Sequence, residues 1–408
     1  MPWLTESDIL TILSERNFDI RESGNARWID QKCTPDVLCI VSDCIENYVE
    51  SHGNGLFSSV DIWHNDYTVQ NVEQIFSKPG LNLQTSRNEY DKYFQQPMEL
   101  LSYAGVLSKT KRGNRNFYSI ANLEMLSFIA MRERNALTFL QLYIERVLSD
   151  SGLMEQFDEF YRLQTPEAYA LLKRAFEDFT INNTPINGRT ECRRIFTKII
   201  NPIAFKRRSL GTERGRVSQH PITYDMLMYN RDNFRDLYAG KPKGMTRSEY
   251  AATIGVAPNQ NYFVYMANRA KRFLRSFNDQ YRDGRSEVTT GPDANSPAIH
   301  MHHIFPEARF PEISSHLENL IALTPTQHLS YAHPMGNTQV VDPEYQHICL
   351  IAKVTSVQEN LLGPEDLIIY EFDKLLYVLS TGFSNDDFEE IEYLDFAGVV
   401  TKINLQYA

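Results

Sequence analysis

The stretch Ala298–Gly336 reads AIHMHHIFPEARFPEISSHLENLIALTPTQHLSYAHPMG. Seven of the chain's ten histidines (His300, His302, His303, His316, His328, His333 and His347) fall within 48 residues around it. Ala298–His303 reads as a short strand, and Ile304-Phe305-Pro306 turns it away. About a dozen loop residues follow, and Asn319–Leu323 reads as a second strand. Thr324-Pro325-Thr326-Gln327 then has the spacing of a helix start, with Thr at the N-cap, Pro at the first helical position and Gln at the third. That helix carries His328 in its first turns and stops by Pro334 and Gly336. The order is strand, loop, strand, helix. Imidazole binds divalent cations and also serves as a base near neutral pH, so one metal site plus one spare base would make this stretch a catalytic centre.

Helix phase separates the ligand candidates. At 100° per residue, His333 lies about 140° around an α-helix from His328. It reaches a metal held by His328 only if the helix loosens before Pro334. Two adjacent histidines on a strand point to opposite faces, which suits one facing a metal and its neighbour facing water, provided the strand end twists. His300, His316 and His347 read as packing or loop residues.

A paired histidine at the end of the first strand, an asparagine opening the second and a histidine on the helix, in that order, resemble the HNH (ββα-metal) nuclease motif. The resemblance covers about residues 298–336, and the organisation around it resembles an HNH-type type II restriction endonuclease. It implies His302 as first metal ligand and His303 as the general base that deprotonates the attacking water. It implies Asn319 as the residue that pins the loop and orients the base, or in some members binds the metal, and His328 as the helical ligand. Many members place a further ligand four residues along the helix, where this chain has Ala332. His333 sits five along, so the third ligand is His333, water, substrate phosphate or Asn319. The cofactor implied is a divalent ion: Mg²⁺ by the habit of such nucleases, with Mn²⁺, Ni²⁺ or Zn²⁺ suited to histidine ligation.

The rest of the chain is read around this centre. At 408 residues it exceeds one ordinary core, and hydrophobic residues make up 42% of it, enough for several. No apolar run is long enough to span a bilayer, and MPWLTESDIL lacks a basic-then-apolar leader pattern, so a soluble cytoplasmic protein with no membrane partner is expected. The five cysteines (Cys33, Cys39, Cys44, Cys192, Cys349) form no C-x-x-C pair and read as reduced core residues. Net charge is −11, yet residues 187–285 hold twenty Lys and Arg against eight Asp and Glu, a local +12. A local basic face matters more for phosphate binding than the whole-chain sum.

The expected fold is α+β and mostly helical, in four segments. Residues 1–122 read as a winged-helix-like DNA-binding domain. Helices start in TESDILTILSERN, at Thr34-Pro35 and in DYTVQNVEQIFSKPG, the last stopped by Pro79-Gly80. A short helix then ends at Gly105, before a hairpin whose turn, Lys109–Asn116, carries Lys109, Lys111, Arg112 and Arg115. In a winged helix, one helix enters the major groove and the basic wing touches the backbone. Residues 123–186 read as a helical connector. Residues 187–285 read as a basic DNA-contacting region, with Arg207, Arg208, Arg214 and Arg216 in a glycine-bearing loop and a cationic helix ending near Arg285. Residues 286–408 hold the HNH nuclease domain and an acidic tail.

The expectation is a sequence-specific double-stranded DNA endonuclease of a restriction-modification system. It would act as a homodimer on a palindrome, yield 5′-phosphate ends and have a cognate DNA methyltransferase as genetic partner. Two other readings remain at this level. One is another HNH nuclease: a homing enzyme, a nickase or a modification-dependent defence nuclease. The other is a non-catalytic winged-helix DNA-binding protein with a metal-stabilised module.

Overall fold

The computed structural model describes residues 4–73, 87–229, 260–291, 293–333 and 341–408. These residues are mostly helical with small antiparallel sheets, three of them two-stranded, as the composition of the elements predicts. The chain divides into two compact units, Glu6–Ala257 and Pro258–Ala408 with Met1–Thr5. The cationic helix near residue 270, grouped by composition with the basic stretch, belongs to the second unit.

In the first unit, α1 (Glu6–Ser14), α2 (Pro35–His52), α3 (Ser59–Trp63) and α4 (Arg87–Tyr103) precede a hairpin of β1 (Leu107–Arg112) and β2 (Arg115–Ile120). Helix α2 starts at Pro35, as its sequence predicts, and its exit is Gly53 at φ +80°, a conformation that suits glycine. Every residue of α2 from Pro35 to Ile45 is buried, so it is the centre of this unit rather than a surface helix. Cys39 and Cys44 on α2 and Cys33 just before it are buried thiols, and Cys192 and Cys349 are also free and buried. The buried Asp36 is satisfied from far along the chain: its carboxylate accepts the backbone N–H of Tyr229 at 2.8 Å.

Two local expectations change. The helix expected from Asp66 to Pro79 is described only as Asp66–Thr68 and a π-turn over Val69–Glu73; Pro79 and Gly80 lie outside the described residues. The basic turn expected over Lys109–Asn116 is instead mostly strand. The register runs from Leu107↔Ile120 to Arg112↔Arg115, which leaves Gly113-Asn114 as a two-residue turn with Gly113 at φ +59°. The alternation is hard to read in the sequence because β1 is exposed on both faces beyond Leu107. Phe57, just before α3, adds an antiparallel bridge to Tyr118.

Helices α5 (Leu123–Met131), α6 (Glu133–Asp150), α7 (Met154–Leu163), α8 (Pro166–Asn183) and α9 (Arg189–Lys206) complete the packing of this unit, followed by the small ribbon β3 (Thr212–Glu213) and β4 (Arg216–Val217). Among the described residues no helix is long and apolar enough to cross a membrane.

The second unit begins with α10 (Gln260–Tyr281) and contains β5 (His300–His303), β6 (Leu320–Leu323), a π-turn (Gln327–Ala332), and α11 (Pro343–Leu361), α12 (Phe372–Phe383) and α13 (Phe396–Gln406). Strands β5 and β6 pair antiparallel from His300↔Leu323 to His303↔Leu320. All four residues of β6 are fully buried; Leu320, Ile321 and Leu323 contribute about 1.5–3 kcal/mol each. Beneath the hairpin, Glu287 accepts the Ala322 N–H at 2.9 Å and binds Lys353 Nζ at 2.6 Å. Arg282 stands 3.3 Å from the same carboxylate. These partners hold the buried Glu287 carboxyl below its usual range despite the cost of burial. The network ties the end of α10, β6 and α11 into one platform.

Candidate metal and catalytic centre

The capping box expected at the third element of the motif is present. Thr324 Oγ1 accepts the Gln327 N–H at 3.2 Å, and Gln327 Oε1 accepts the Thr324 N–H at 3.1 Å. Gln327 is buried, and its amide also donates to the Val288 carbonyl at 3.0 Å. The chain therefore leaves β6 at a fixed angle and enters a helical turn with His328 already placed.

That turn resolves the question of phase. An α-helix would put His333 on another face, but Gln327–Ala332 is a π-turn, with about one more residue per turn. A five-residue step is then a little over one full turn, and His333, in extended backbone just past it, comes beside His328, with ring centroids 4.8 Å apart. His302 on β5 lies 5.2 Å from His328 and 4.9 Å from His333, ring centre to ring centre. One ring nitrogen from each of His302, His328 and His333 lies within 4.8 Å of the other two. The stop expected at Pro334 and Gly336 lies outside the described residues.

These residues fit a divalent cation. Burial holds His302 well below the ordinary imidazole range and His328 at about 4, so both rings are neutral and keep a lone pair for a ligand bond. The Nδ1 atom of His328 is buried and has no hydrogen-bond partner. A buried ring nitrogen without a protein partner is costly unless something else satisfies it. His300, expected to be a packing residue, stacks on the His328 ring at 4.6 Å and limits its rotation.

His303 stands apart from the three. Its Nε2 lies 2.9 Å from the carbonyl oxygen of Ser314. A carbonyl only accepts, so Nε2 carries the proton and, in the neutral ring, Nδ1 is the free base. Burial holds this imidazole at about 4, with the Lys271 charge acting in the same direction. The Glu307 carboxylate, 3.7 Å from Nδ1, therefore faces a lone pair rather than an ion-pair partner.

Asn319 is completely buried and spends its whole side chain on the loop. Its Oδ1 accepts the Phe305 N–H at 2.8 Å, and its Nδ2 donates to the carbonyls of Phe305 at 3.0 Å and Ile313 at 3.3 Å. It therefore positions the segment that carries Ser314 and, through it, His303. It is not free to ligate a metal.

Both His302 and His303 line one cavity of about 820 Å³, with His300, His328, His333, Lys271 and Glu307 among its other walls. Successive strand residues start on opposite faces, and the end of β5 brings both to the same space. Lys271 and Glu307 are the charged wall residues that sequence spacing did not single out. Glu307 follows His303 by four positions, and Lys271 lies within the basic run, where its neighbours mask it.

The expected phosphate-contacting residues lie elsewhere. Lys109 is bound to Glu99 of α4 at 2.7 Å, and the same carboxylate accepts from Asn116 and Tyr118. Lys111, Arg112 and Arg115 are exposed on the hairpin with no ion pair among the described residues, and Arg112 lies over the Phe117 ring at 5.8 Å. Arg207 is paired with Asp158 at 2.7 Å and stacks on Tyr161. Arg208 (φ +51°) and Arg214 (φ +49°) are in left-handed turns, and Arg216 is on β4. Arg285 is exposed in the second unit. Comparison with known proteins adds nothing to this geometry: no family model, curated protein or solved structure matches the chain.

Proposed function

We propose that this protein is a metal-dependent endonuclease of the HNH (ββα-metal) type that hydrolyses DNA phosphodiesters. One observation carries the reading: a three-histidine cluster stands beside a fourth, neutral histidine whose outer nitrogen is tied to a carbonyl and whose inner nitrogen is unprotonated. A purely structural metal site has no use for the fourth. A bound divalent ion would supply charge to neutralise the substrate phosphate and the departing 3′ oxygen. His302, His328 and His333 would hold it, and three nitrogen donors suit Mn²⁺, Ni²⁺ or Zn²⁺ better than Mg²⁺.

The chain's own residues do the remainder. His303 Nδ1 takes the proton of a water placed in line with the scissile bond, and its Nε2–H bond to Ser314 steadies the imidazolium that forms. Asn319 fixes the loop, so this geometry exists before substrate arrives. The products are a 5′-phosphate and a 3′-hydroxyl.

The first unit supports a DNA-reading role. The order α2, the Phe57 bridge, α3, α4 and the β1–β2 hairpin is compatible with the winged-helix reading, in which Lys111, Arg112 and Arg115 would lie on the wing. Sequence-specific cutting of double-stranded DNA by a homodimer, inside a cell that protects its own sites with a cognate methyltransferase, is the biological setting we infer.

The test is incubation of plasmid and phage DNA with the protein under Mg²⁺, Mn²⁺, Ni²⁺ and Zn²⁺ in turn, followed by sequencing of the ends. Discrete cuts with 5′-phosphates are expected, and His303→Ala slows cutting by about 100-fold or more while leaving DNA binding intact. Undiminished cutting by that variant sinks the mechanism.

A further inference from the structure

The cations of α10 and Arg282, just beyond its end, have separate fates. Arg269 is buried, and its guanidinium donates to the Tyr265 hydroxyl at 3.0 Å. Arg272 is exposed. Arg275 reaches the Asp279 carboxylate and the Ile299 carbonyl, each at 2.9 Å. Arg282 is committed to Glu287 and Tyr370. Lys271 alone among them lines the histidine cavity, and its ammonium has no hydrogen bond or ion pair among the described residues.

Helix phase explains its placement. Ala267, Leu274 and Asn278, three to seven residues away on the same stripe, are completely buried. The stripe that packs on the β5–β6 hairpin therefore carries a lysine where an apolar residue would pack without desolvating a charge. A half-buried, unpaired ammonium is costly, and burial does push this one down while the Glu307 charge pulls it up. Its positive charge is felt by His302, His303 and His328. A cation kept at such cost, facing the neutral imidazoles of His302, His328 and the base His303, suits an anionic ligand.

We propose that Lys271 is a further catalytic residue of this centre, binding a non-bridging oxygen of the scissile phosphate and neutralising the charge that grows as the phosphorus becomes five-coordinate. This rests on the phosphodiesterase reading above. It adds a contact from outside the strand–loop–strand–helix segment. A fixed ammonium in a partly dry cavity acts on developing charge more strongly than one in water.

The probe is inorganic phosphate, titrated calorimetrically into the full chain with Mn²⁺ bound. Alongside it run Mn²⁺ affinity, thermal unfolding and plasmid cleavage, for wild type, Lys271→Met and Lys271→Arg. Lys271→Met is expected to weaken phosphate binding about tenfold or more. It is expected to lower kcat about 100-fold, with KM for DNA and Mn²⁺ affinity nearly unchanged. Lys271→Arg restores most of both. If Lys271→Met does not fold, Lys271→Gln reads the same loss of charge. Phosphate binding and kcat that survive the loss of charge overturn the proposal, whatever the wild type does to DNA. A wild type that cuts no DNA, yet loses phosphate on Lys271→Met, overturns the nuclease reading and upholds the anion site.

Discussion

The protein contains two hairpins of similar make-up and opposite character. In β1–β2, six residues per strand carry Lys109, Lys111, Arg112 and Arg115, and β1 is exposed beyond its first residue. In β5–β6, four residues per strand carry three histidines, and the partner strand is wholly buried. Apart from Lys109, which pairs with Glu99, the charges on the first stay in water, where each acts nearly alone and salt screens it. His302 and His303 on the second are desolvated together, which keeps both neutral and leaves His302 a lone pair for a cation. The same backbone device thus presents charge in one unit and suppresses it in the other; the difference lies in what packs over the strands.

The comparison is broken most severely at the buried hairpin. His328→Ala removes one of the three histidines that could hold a metal and is expected to abolish stoichiometric binding of Mn²⁺ or Zn²⁺ in calorimetry, while His303→Ala retains it. Retention of full metal affinity by His328→Ala would dismantle the triad. His303→Ala should cost about 10²–10⁴-fold in cleavage rate, the usual contribution of a general base.

Burial should also show as a pH dependence. Glu318, next to Asn319, is fully buried and accepts the Glu371 N–H at 2.9 Å. Burial pushes its carboxyl from 4.5 up to about 7. A raised folded-state value means its stabilising contribution is whole below pH 4.5 and is lost as pH rises through 7. The loss is about 3 kcal/mol. Glu318→Gln should flatten this part of the stability profile, measured by urea denaturation from pH 4.5 to 8; an unchanged profile would show that the carboxyl is not held neutral.

A smaller effect is expected at Gly382 of α12, where a Cβ would overlap the Phe305 ring. Gly382→Ala should destabilise the second unit by about 1–3 kcal/mol and disturb the loop that Asn319 holds through Phe305. The exposed hairpin should respond least. Lys111→Ala, Arg112→Ala and Arg115→Ala should leave the melting temperature unchanged and weaken DNA binding similarly for all sequences. Each should lower the slope of log Kd against log salt by about one. A melting temperature that falls instead would mean that these hairpin residues are structural.

Sequence alone determined what local chemistry dictates. The order strand, loop, strand, helix is readable because proline, alternation and capping act between near neighbours; the Thr324–Gln327 box formed as its spacing predicts. Pro35 and Gly53 bound α2 for the same reason. Three things needed the tertiary structure. The π-turn that brings His333 to His328 depends on packing, since an isolated stretch of this composition has no reason to prefer π-helical over α-helical turns. The commitment of Asn319 to Phe305 and Ile313 depends on loop closure over fourteen residues. The selection of Lys271 from the α10 cations depends on which stripe of that helix meets the hairpin. Residue types and their local spacing are carried by the chain itself, whereas helix phase against a neighbour and the desolvation of a charge exist only once distant segments have packed.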